Sequence, residues 1–327
     1  MSVRILLTHS PDARANYYGE KALSGLCALG NVVLHSSDKP LEGDALIQAA
    51  GDCALIVSYR QSPGPAEVFE RLPGLVAFVR CAVDVRNIDL EAASKAGVLV
   101  TQASAGFVSA VTEMVVGFMI DLSRGITAHA TSYRAMKVPQ AAMGRQLRGS
   151  TLGVIGYGAI GRELVEVARA LGMKVLVNDP YVAELPQTSI EDLLSNSDYV
   201  VPLAVATAET ENLIGEREFS QMKRGSFFIN VSRGNLVDEG ALARALDSGR
   251  IAGCALDVGR DPDQMPRLAL ATRSDVIATP HTAGLTLQAI EHQAMETVAQ
   301  AGEILKGTAP KGALNPKDWS RKTLLNG

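Results

Sequence analysis

Three glycines, Gly156, Gly158 and Gly161, stand at G-x-G-x-x-G spacing in the run TLGVIGYGAIGREL, and Asp179 follows 23 residues after the first of them. An apolar, strand-like run precedes the loop and a helical pattern follows it, the setting in which such a loop receives a dinucleotide pyrophosphate. Gly156 permits the tight turn, Gly158 lets the backbone approach the phosphates, and Gly161 lets helix pack on strand. Tyr157, Ala159 and Ile160 fill the loop between them, and the helix N-terminus offers amides and a positive dipole. Asp179, at the end of the second strand, is placed to accept both hydroxyls of an adenosine ribose and to repel a 2′-phosphate, which favours NAD over NADP. Arg162, beside the loop, keeps the NADP question open.

Three further stretches end buried strands: FFINVSRGNLVD with Arg233, GCALDVGRDPDQMP with Asp257, Asp261 and Asp263, and DVIATPHTAGLT with His281. In an open parallel sheet, ligands sit outside the carboxyl ends of the strands. Arg233 has the planar fork that holds a carboxylate by two bonds. His281 is of the residue type that gives or takes a proton near neutral pH. Hydride transfer between a hydroxy acid and NAD needs little more from a protein than these two groups. His9, His35, His129 and His292 lack a motif, and no pair of them has metal-ligand spacing, so no metal is expected. His9, at the end of the first strand, is a candidate to line a pocket.

The elements that position these residues repeat in two series. A chain of 327 residues exceeds the size at which one core stops growing, roughly 250 to 300 residues, and two domains are expected. In the first hundred residues strand-like runs at 4–8, 32–35, 54–58, 75–79 and 98–101 alternate with helical spacing at 20–29, 44–50 and 90–96, a five-stranded flavodoxin-like α/β domain. One long helical stretch follows from Val108 to Tyr133, and 137–150 breaks the pattern as a linker or extended arm. A second series carries strands at 152–155, 174–178, 199–202, 226–230, 252–257 and 275–278, a complete doubly wound domain. Residues 285–305 read as a last long helix that could return to the first domain.

The composition is that of a soluble globular protein: 47% hydrophobic, 20% charged, formal net charge −4. Mild acidity without a Lys/Arg block argues against a nucleic-acid or membrane partner and for a small molecule. Cys27, Cys53, Cys81 and Cys254 show no C-x-x-C spacing and read as thiols in a reducing compartment. No signal-peptide core and no run of the roughly 20 apolar residues of a membrane span is visible, so a cytoplasmic protein is expected.

The combination GYGAIG, NDP, INVSRG, ALDV and TPHTAG, in that order and on those strand ends, resembles the D-isomer-specific 2-hydroxyacid dehydrogenases. LVAFVRCAVDVRNIDLEAASKAGVLVT is similar to the family's substrate-domain segment, so the likeness covers nearly the whole chain. The resemblance implies two doubly wound domains, a Rossmann NAD-binding domain at 102–284 inserted into a flavodoxin-like substrate domain made of 1–101 and 285–327. It implies that Arg233 binds the substrate carboxylate, that His281 is the proton donor in reduction, that Asp257 bonds the nicotinamide carboxamide, and that Val231 packs near the ring. A small 2-oxo or D-2-hydroxy acid is the implied substrate, and a homodimer formed through the NAD domain is the implied assembly.

Two departures from the family pattern stand out. Its Glu-Pro pair, whose glutamate partners the histidine, is absent; Asp261-Pro262 stands one residue early, with Gly259 at a position where the family tends to place an aromatic. Asp261 is the candidate partner of His281, with Asp263 its competitor and a histidine without a carboxylate partner the third alternative. The family's glycine-rich turn, whose amides hold the substrate carboxylate, corresponds to Cys81-Ala82-Val83-Asp84. Ala82 and Val83 are therefore the substrate-binding candidates, while Asp84 could narrow the pocket or repel a second acidic group. Tyr17, Tyr18, Tyr59 and Arg60 lie on loops after first-domain strands, either as contacts to the substrate's tail or as exposed loop residues. These departures motivate a rival reading, an NAD-responsive binding protein on the same fold with little or no dehydrogenase activity.

Overall fold

Short apolar runs of four to six residues, rich in Val, Ile and Leu and covered on both faces, are what a parallel sheet between helices requires. In the computed structural model, which describes residues 3–183 and 187–326, such runs become the strands of two sheets. The chain divides into two compact units, Met1–Phe107 with Thr286–Gly327, and Val108–Leu285.

The first unit holds β1 (Arg4–Leu7), β2 (Asn31–Leu34), β3 (Leu55–Ser58), β4 (Ala77–Arg80) and β5 (Leu99–Gln102). They pair in parallel in the order β2-β1-β3-β4-β5. The connection from β1 runs to β2 on one side and that from β3 to β4 on the other, so the switch point lies between β1 and β3. Leu6, Phe78 and Val100 face one layer of core and Leu7, Val79 and Leu99 the other. The second layer is closed by the end of the chain: helix Leu287–Leu305 contributes Ala294, Ala301 and Ile304, and Trp319 is 3% exposed with its indole N–H on the Val76 carbonyl at 3.1 Å. The first unit runs on to Phe107 because the residues after β5 still bond within it. The Ala103 amide donates to the Arg80 and Ala82 carbonyls, and the Ser104 amide to the Glu296 carboxylate.

The second unit holds β6 (Thr151–Ile155), β7 (Lys174–Asn178), β8 (Tyr199–Pro202), β9 (Ser226–Asn230), β10 (Ile251–Leu256) and β11 (Val276–Ala278). Their order is β11-β10-β9-β8-β6-β7, all parallel, with the switch point between β6 and β8. The fold class is thus α/β, two doubly wound parallel sheets. Tyr199 carries its hydroxyl to Ser123 at 2.6 Å, which ties the sheet to helix Val108–Arg124.

Two local outcomes differ from the sequence reading. The long helical stretch is two helices, Val108–Arg124 and Ile126–Arg134, because Gly125 adopts a left-handed φ of 62°. Asp121 secures the break by accepting the Thr127 amide at 2.8 Å. Helix Pro11–Tyr17 is additional; its signal was present in Ser10, whose hydroxyl caps the Ala13 amide, and in proline at the first helical position. No helix among the described residues is long and apolar enough to cross a membrane.

Candidate active site

The glycine loop leaves β6 at the switch point, and each glycine has a separate steric reason. Gly156 lies at φ 102°, and a Cβ there would stand 2.6 Å from the Ala204 amide nitrogen. At Gly161 a Cβ would meet the Gly156 carbonyl oxygen at 2.4 Å. At Gly158 it would meet nothing within 4 Å, so this glycine faces open space wide enough for a phosphate to approach the main chain. Gly158 is the N-cap of helix Ala159–Ala170 and no side chain caps that end. Gly158 and Ala159 are exposed, Ile160 half-buried, and Tyr157 buried. Such a cradle of uncapped amides suits the pyrophosphate of a dinucleotide.

Asp179 lies just beyond β7. One carboxylate oxygen accepts the Tyr157 amide at 2.7 Å and the other the Tyr181 amide at 3.0 Å. Arg162 lays its guanidinium 4.7 Å above the Tyr157 ring.

Arg233, Asp257 and His281 follow β9, β10 and β11, three adjacent strands. Asn230, buried at the end of β9, was not singled out from the sequence. Its amide N–H donates to the Arg233 carbonyl at 3.0 Å and its oxygen accepts the Ser232 amide at 3.1 Å, so it shapes the turn that presents half-buried Arg233. Val231, 6% exposed, sits inside that turn.

Asp257 is 1% exposed, and its carboxylate already accepts three bonds, from the Thr279 hydroxyl at 2.6 Å and the Thr282 and Ala283 amides at 2.8 and 2.9 Å. The Asp257 carbonyl also takes the His281 amide at 2.9 Å. The carboxylate thereby anchors the loop that carries His281.

The structure does not bring the Asp261 carboxylate to His281. That carboxylate pairs with Arg267, which also reaches Glu239, and His281 Nδ1 instead lies 2.7 Å from the main-chain carbonyl of Asp263. The physical reason is the shape of the loop, which folds back on itself. The Gly259 amide donates to the Gln264 carbonyl at 2.7 Å and the Asp261 amide to the Met265 carbonyl at 3.1 Å. Gly259 stands against Met265 and Pro266 at distances that leave no room for a Cβ, which accounts for the absence of an aromatic. Arg260, also missed, pins the loop from below: its guanidinium donates to the Val237 and Asn235 carbonyls and pairs with Glu211. The Gly234 amide bonds the Gln264 side chain at 3.3 Å. The loops bearing Arg233, Asp257 and His281 are in this way tied to one another.

In the first unit, the turn Cys81–Asp84 follows β4. Ala82 is 9% exposed and Val83 half-buried. Asp84 is held by Arg86 in a two-point ion pair of 2.6 to 3.1 Å, which offsets the charge that could repel an acidic substrate. Arg80 is fully buried, a position the sequence did not flag. It bonds the Tyr59 and Ser62 carbonyls and Asn87, and burial pulls its guanidinium down to about 10. His9 lies within 4.9 Å of both the Tyr18 and Tyr59 rings, Tyr17 stacks on Tyr59, and neither nitrogen of His9 has a hydrogen-bond partner. Burial, then the charges of Arg14 and Arg80, hold the His9 imidazole down at about 3. Of these tyrosines, Tyr18 is buried and its hydroxyl meets Thr297 at 3.1 Å, whereas Arg60 is exposed.

A glycine cradle at the switch point of a doubly wound sheet, followed by an arginine and a histidine on neighbouring strand ends, defines a dinucleotide-binding α/β protein. Residues 116–283 match the model of the D-isomer specific 2-hydroxyacid dehydrogenase NAD binding domain. The chain belongs to the D-isomer specific 2-hydroxyacid dehydrogenase family, and the cofactor of its second unit is NAD. It is similar to the D-3-phosphoglycerate dehydrogenase of Rattus norvegicus, 32% identical over 283 residues, which are 84% of this chain and 53% of the relative. The chain spans about half the length of the curated relatives it matches. A solved structure from Thermus thermophilus is 28% identical with a TM-score of 0.83, covering 95% of this chain and 100% of that one. The NAD-complexed D-isomer specific 2-hydroxyacid dehydrogenase of Lactobacillus delbrueckii ssp. bulgaricus is 25% identical with a TM-score of 0.81, covering 96% and 100%.

Proposed function

We propose that the protein is an NAD-dependent oxidoreductase that interconverts a small 2-oxo acid and its D-2-hydroxy acid. The observation that carries this reading is the cross-tied set of loops that presents Arg233 and His281 on strand ends of the unit bearing the glycine cradle. Bound NADH supplies the hydride. Arg233 clamps the substrate carboxylate and polarises the adjacent carbonyl, as its planar fork allows. His281 gives a proton to the carbonyl oxygen in reduction and takes it back in oxidation. Gly156 to Gly161 and Asp179 hold the cofactor, with Val231 beside the ring. The unit of 1–107 and 286–327 is the substrate domain and contributes Ala82 and Val83. Four unpaired cysteines, three of them buried, suit a reducing compartment such as the cytoplasm.

The assembly in this reading is a homodimer. Tyr133, Met136, Val138 and Met143 are 61 to 99% exposed along one short segment of the second unit, a concentration of bare apolar surface that a second copy would cover.

The test is turnover by the purified chain with NADH and a broad panel of 2-oxo acids, followed by absorbance. Turnover of at least one acid, lost in Arg233→Ala and His281→Ala, is the expected result. NADH binding without turnover of any acid overturns the dehydrogenase reading and favours an NAD-responsive binding protein.

A further inference from the structure

Asp263 and Gln264 are two consecutive non-glycine residues in the left-handed region, at φ 58° and 61°, and His281 is a third at φ 54°. Side chains resist this conformation, and it persists only where the surroundings impose it. Here they do. The loop is closed by Gly259 on Gln264 and by Asp261 on Met265, anchored by Arg260, and pressed against the Arg233 turn, where a Cβ on Gly234 would stand 2.1 Å from the Gly259 oxygen. The product of this forced geometry is one contact, the Asp263 carbonyl oxygen 2.7 Å from His281 Nδ1.

A carbonyl has lone pairs and no proton, so Nδ1 must be the donor in this bond. In the neutral ring the lone pair then belongs to Nε2. We propose that the main-chain carbonyl of Asp263, held out by the left-handed Asp263–Gln264 pair, is the group that orients His281 and fixes its proton on Nδ1. Three carboxylates of this unit are bonded to other groups. Asp257 is occupied by Thr279, Thr282 and Ala283, and Asp261 and Glu239 by Arg267. Asp263 is thus a positioning residue acting through its backbone. In reduction the proton leaves Nε2 of the doubly protonated ring for the substrate oxygen, and the ring left behind keeps its Nδ1 proton. This catalytic consequence rests on the function proposed above; the tautomer does not.

The experiment uses the full chain labelled with 15N-histidine, with His281 assigned by its loss in His281→Gln and its tautomer read from long-range 1H–15N correlations. The expected result is a neutral ring protonated at Nδ1 in the wild type and in Asp261→Asn. Asp263→Val, whose β-branched side chain opposes the left-handed region, should lose that tautomer preference. Its kcat should fall at least about tenfold with NADH affinity retained, and Asp263→Gly, which keeps the carbonyl and accepts the conformation, should restore both. A wild-type ring protonated at Nε2 would overturn the proposal even if Asp263→Val failed to fold. A tautomer or pH–rate profile that shifts in Asp261→Asn would overturn it equally, by assigning the orienting role to that carboxylate. Absence of any turnover would count against the proposed function and leave the tautomer result standing.

Discussion

The Tyr157 amide donates to the Asp179 carboxylate across 2.7 Å, so the acid just beyond β7 braces the glycine loop from the place where the proposed function puts the cofactor's ribose. Removing it in Asp179→Ala deletes bonds to a charged acceptor, each worth about 1.5–3 kcal/mol. NADH affinity should fall roughly 10- to 100-fold. NADPH affinity should fall less, because the charge that repels a 2′-phosphate is also gone. Fluorescence titration with both cofactors decides it, and an equal loss for the two would remove Asp179 from cofactor discrimination.

Gly158 and Gly161 should fail in opposite ways. A Cβ at Gly161 meets a main-chain oxygen at 2.4 Å, which cannot yield as a side chain would, so Gly161→Ala should cost about 1–3 kcal/mol of stability. Gly158 has an ordinary φ of −72° and open space around it, so Gly158→Ala should melt within about 0.5 kcal/mol of the wild type. It should nevertheless bind NADH poorly, because the new methyl occupies the phosphate's approach. Thermal melts and NADH titration of both variants check the pair, and full NADH affinity in Gly158→Ala would argue against a cradle at this loop.

The exposed segment through Met136, Val138 and Met143 makes an assembly prediction. Replacing Val138 and Met143, 86% and 99% exposed, by aspartate removes no buried contact and should leave the melting temperature of each subunit's core unchanged. If a second copy covers these residues, the double variant should sediment as a monomer where the wild type sediments as a dimer. Identical sedimentation of the two would place any dimer contact elsewhere.

Asp257 tests the His281 loop from its anchor. Asp257→Asn replaces one acceptor oxygen by an NH2 group, which faces the Ala283 amide in one orientation and the Thr282 amide in the other. Leaving a buried donor unsatisfied costs about 1–3 kcal/mol, and a loss of that size is expected by urea denaturation. Turnover should drop while NADH affinity holds, since the residue supports His281 and not the cradle. A variant impaired only in NADH binding would assign Asp257 to the nicotinamide side.

The sheets were legible in the sequence because their strands are unbroken apolar runs between glycine and acid punctuation; Lys174–Asn178 and Ser226–Asn230 are found where the pattern puts them. The split helix was less legible, since a single Gly125 is tolerated inside many helices and only its left-handed φ turns it into a stop. The loop after Asp257 was the hardest part to read. Side-chain types suggested a carboxylate beside His281, whereas the contact is made by a carbonyl, and every residue has one. Which carbonyl reaches a ring depends on backbone dihedrals, and two consecutive left-handed non-glycine residues carry no compositional mark. Asn230, Arg260 and Arg80 escaped notice for a related reason: their work is to bond main-chain atoms of distant loops, which spacing along the chain does not reveal.

His9 gives the fold a pH dependence of predictable sign. Folding moves its imidazole from 6.5 down to about 3, first by burial and then through Arg14 and Arg80. Below 6.5 the unfolded chain binds a proton that the folded chain refuses, so stability is lost as pH falls towards about 3, by at most about 1.4 kcal/mol per pH unit. Below that range both states are protonated and the effect ends. His9→Phe keeps an aromatic ring between Tyr18 and Tyr59 and removes two buried nitrogens that lack partners, so stability at pH 7 should be equal or higher. Carboxylates titrate in both proteins and cancel in the comparison. Between pH 7 and 5 the wild type should lose roughly 2 kcal/mol more than His9→Phe in urea unfolding. Parallel curves for the two proteins would mean that His9 is charged in the fold, or already neutral in the unfolded chain, and would exclude the buried neutral imidazole.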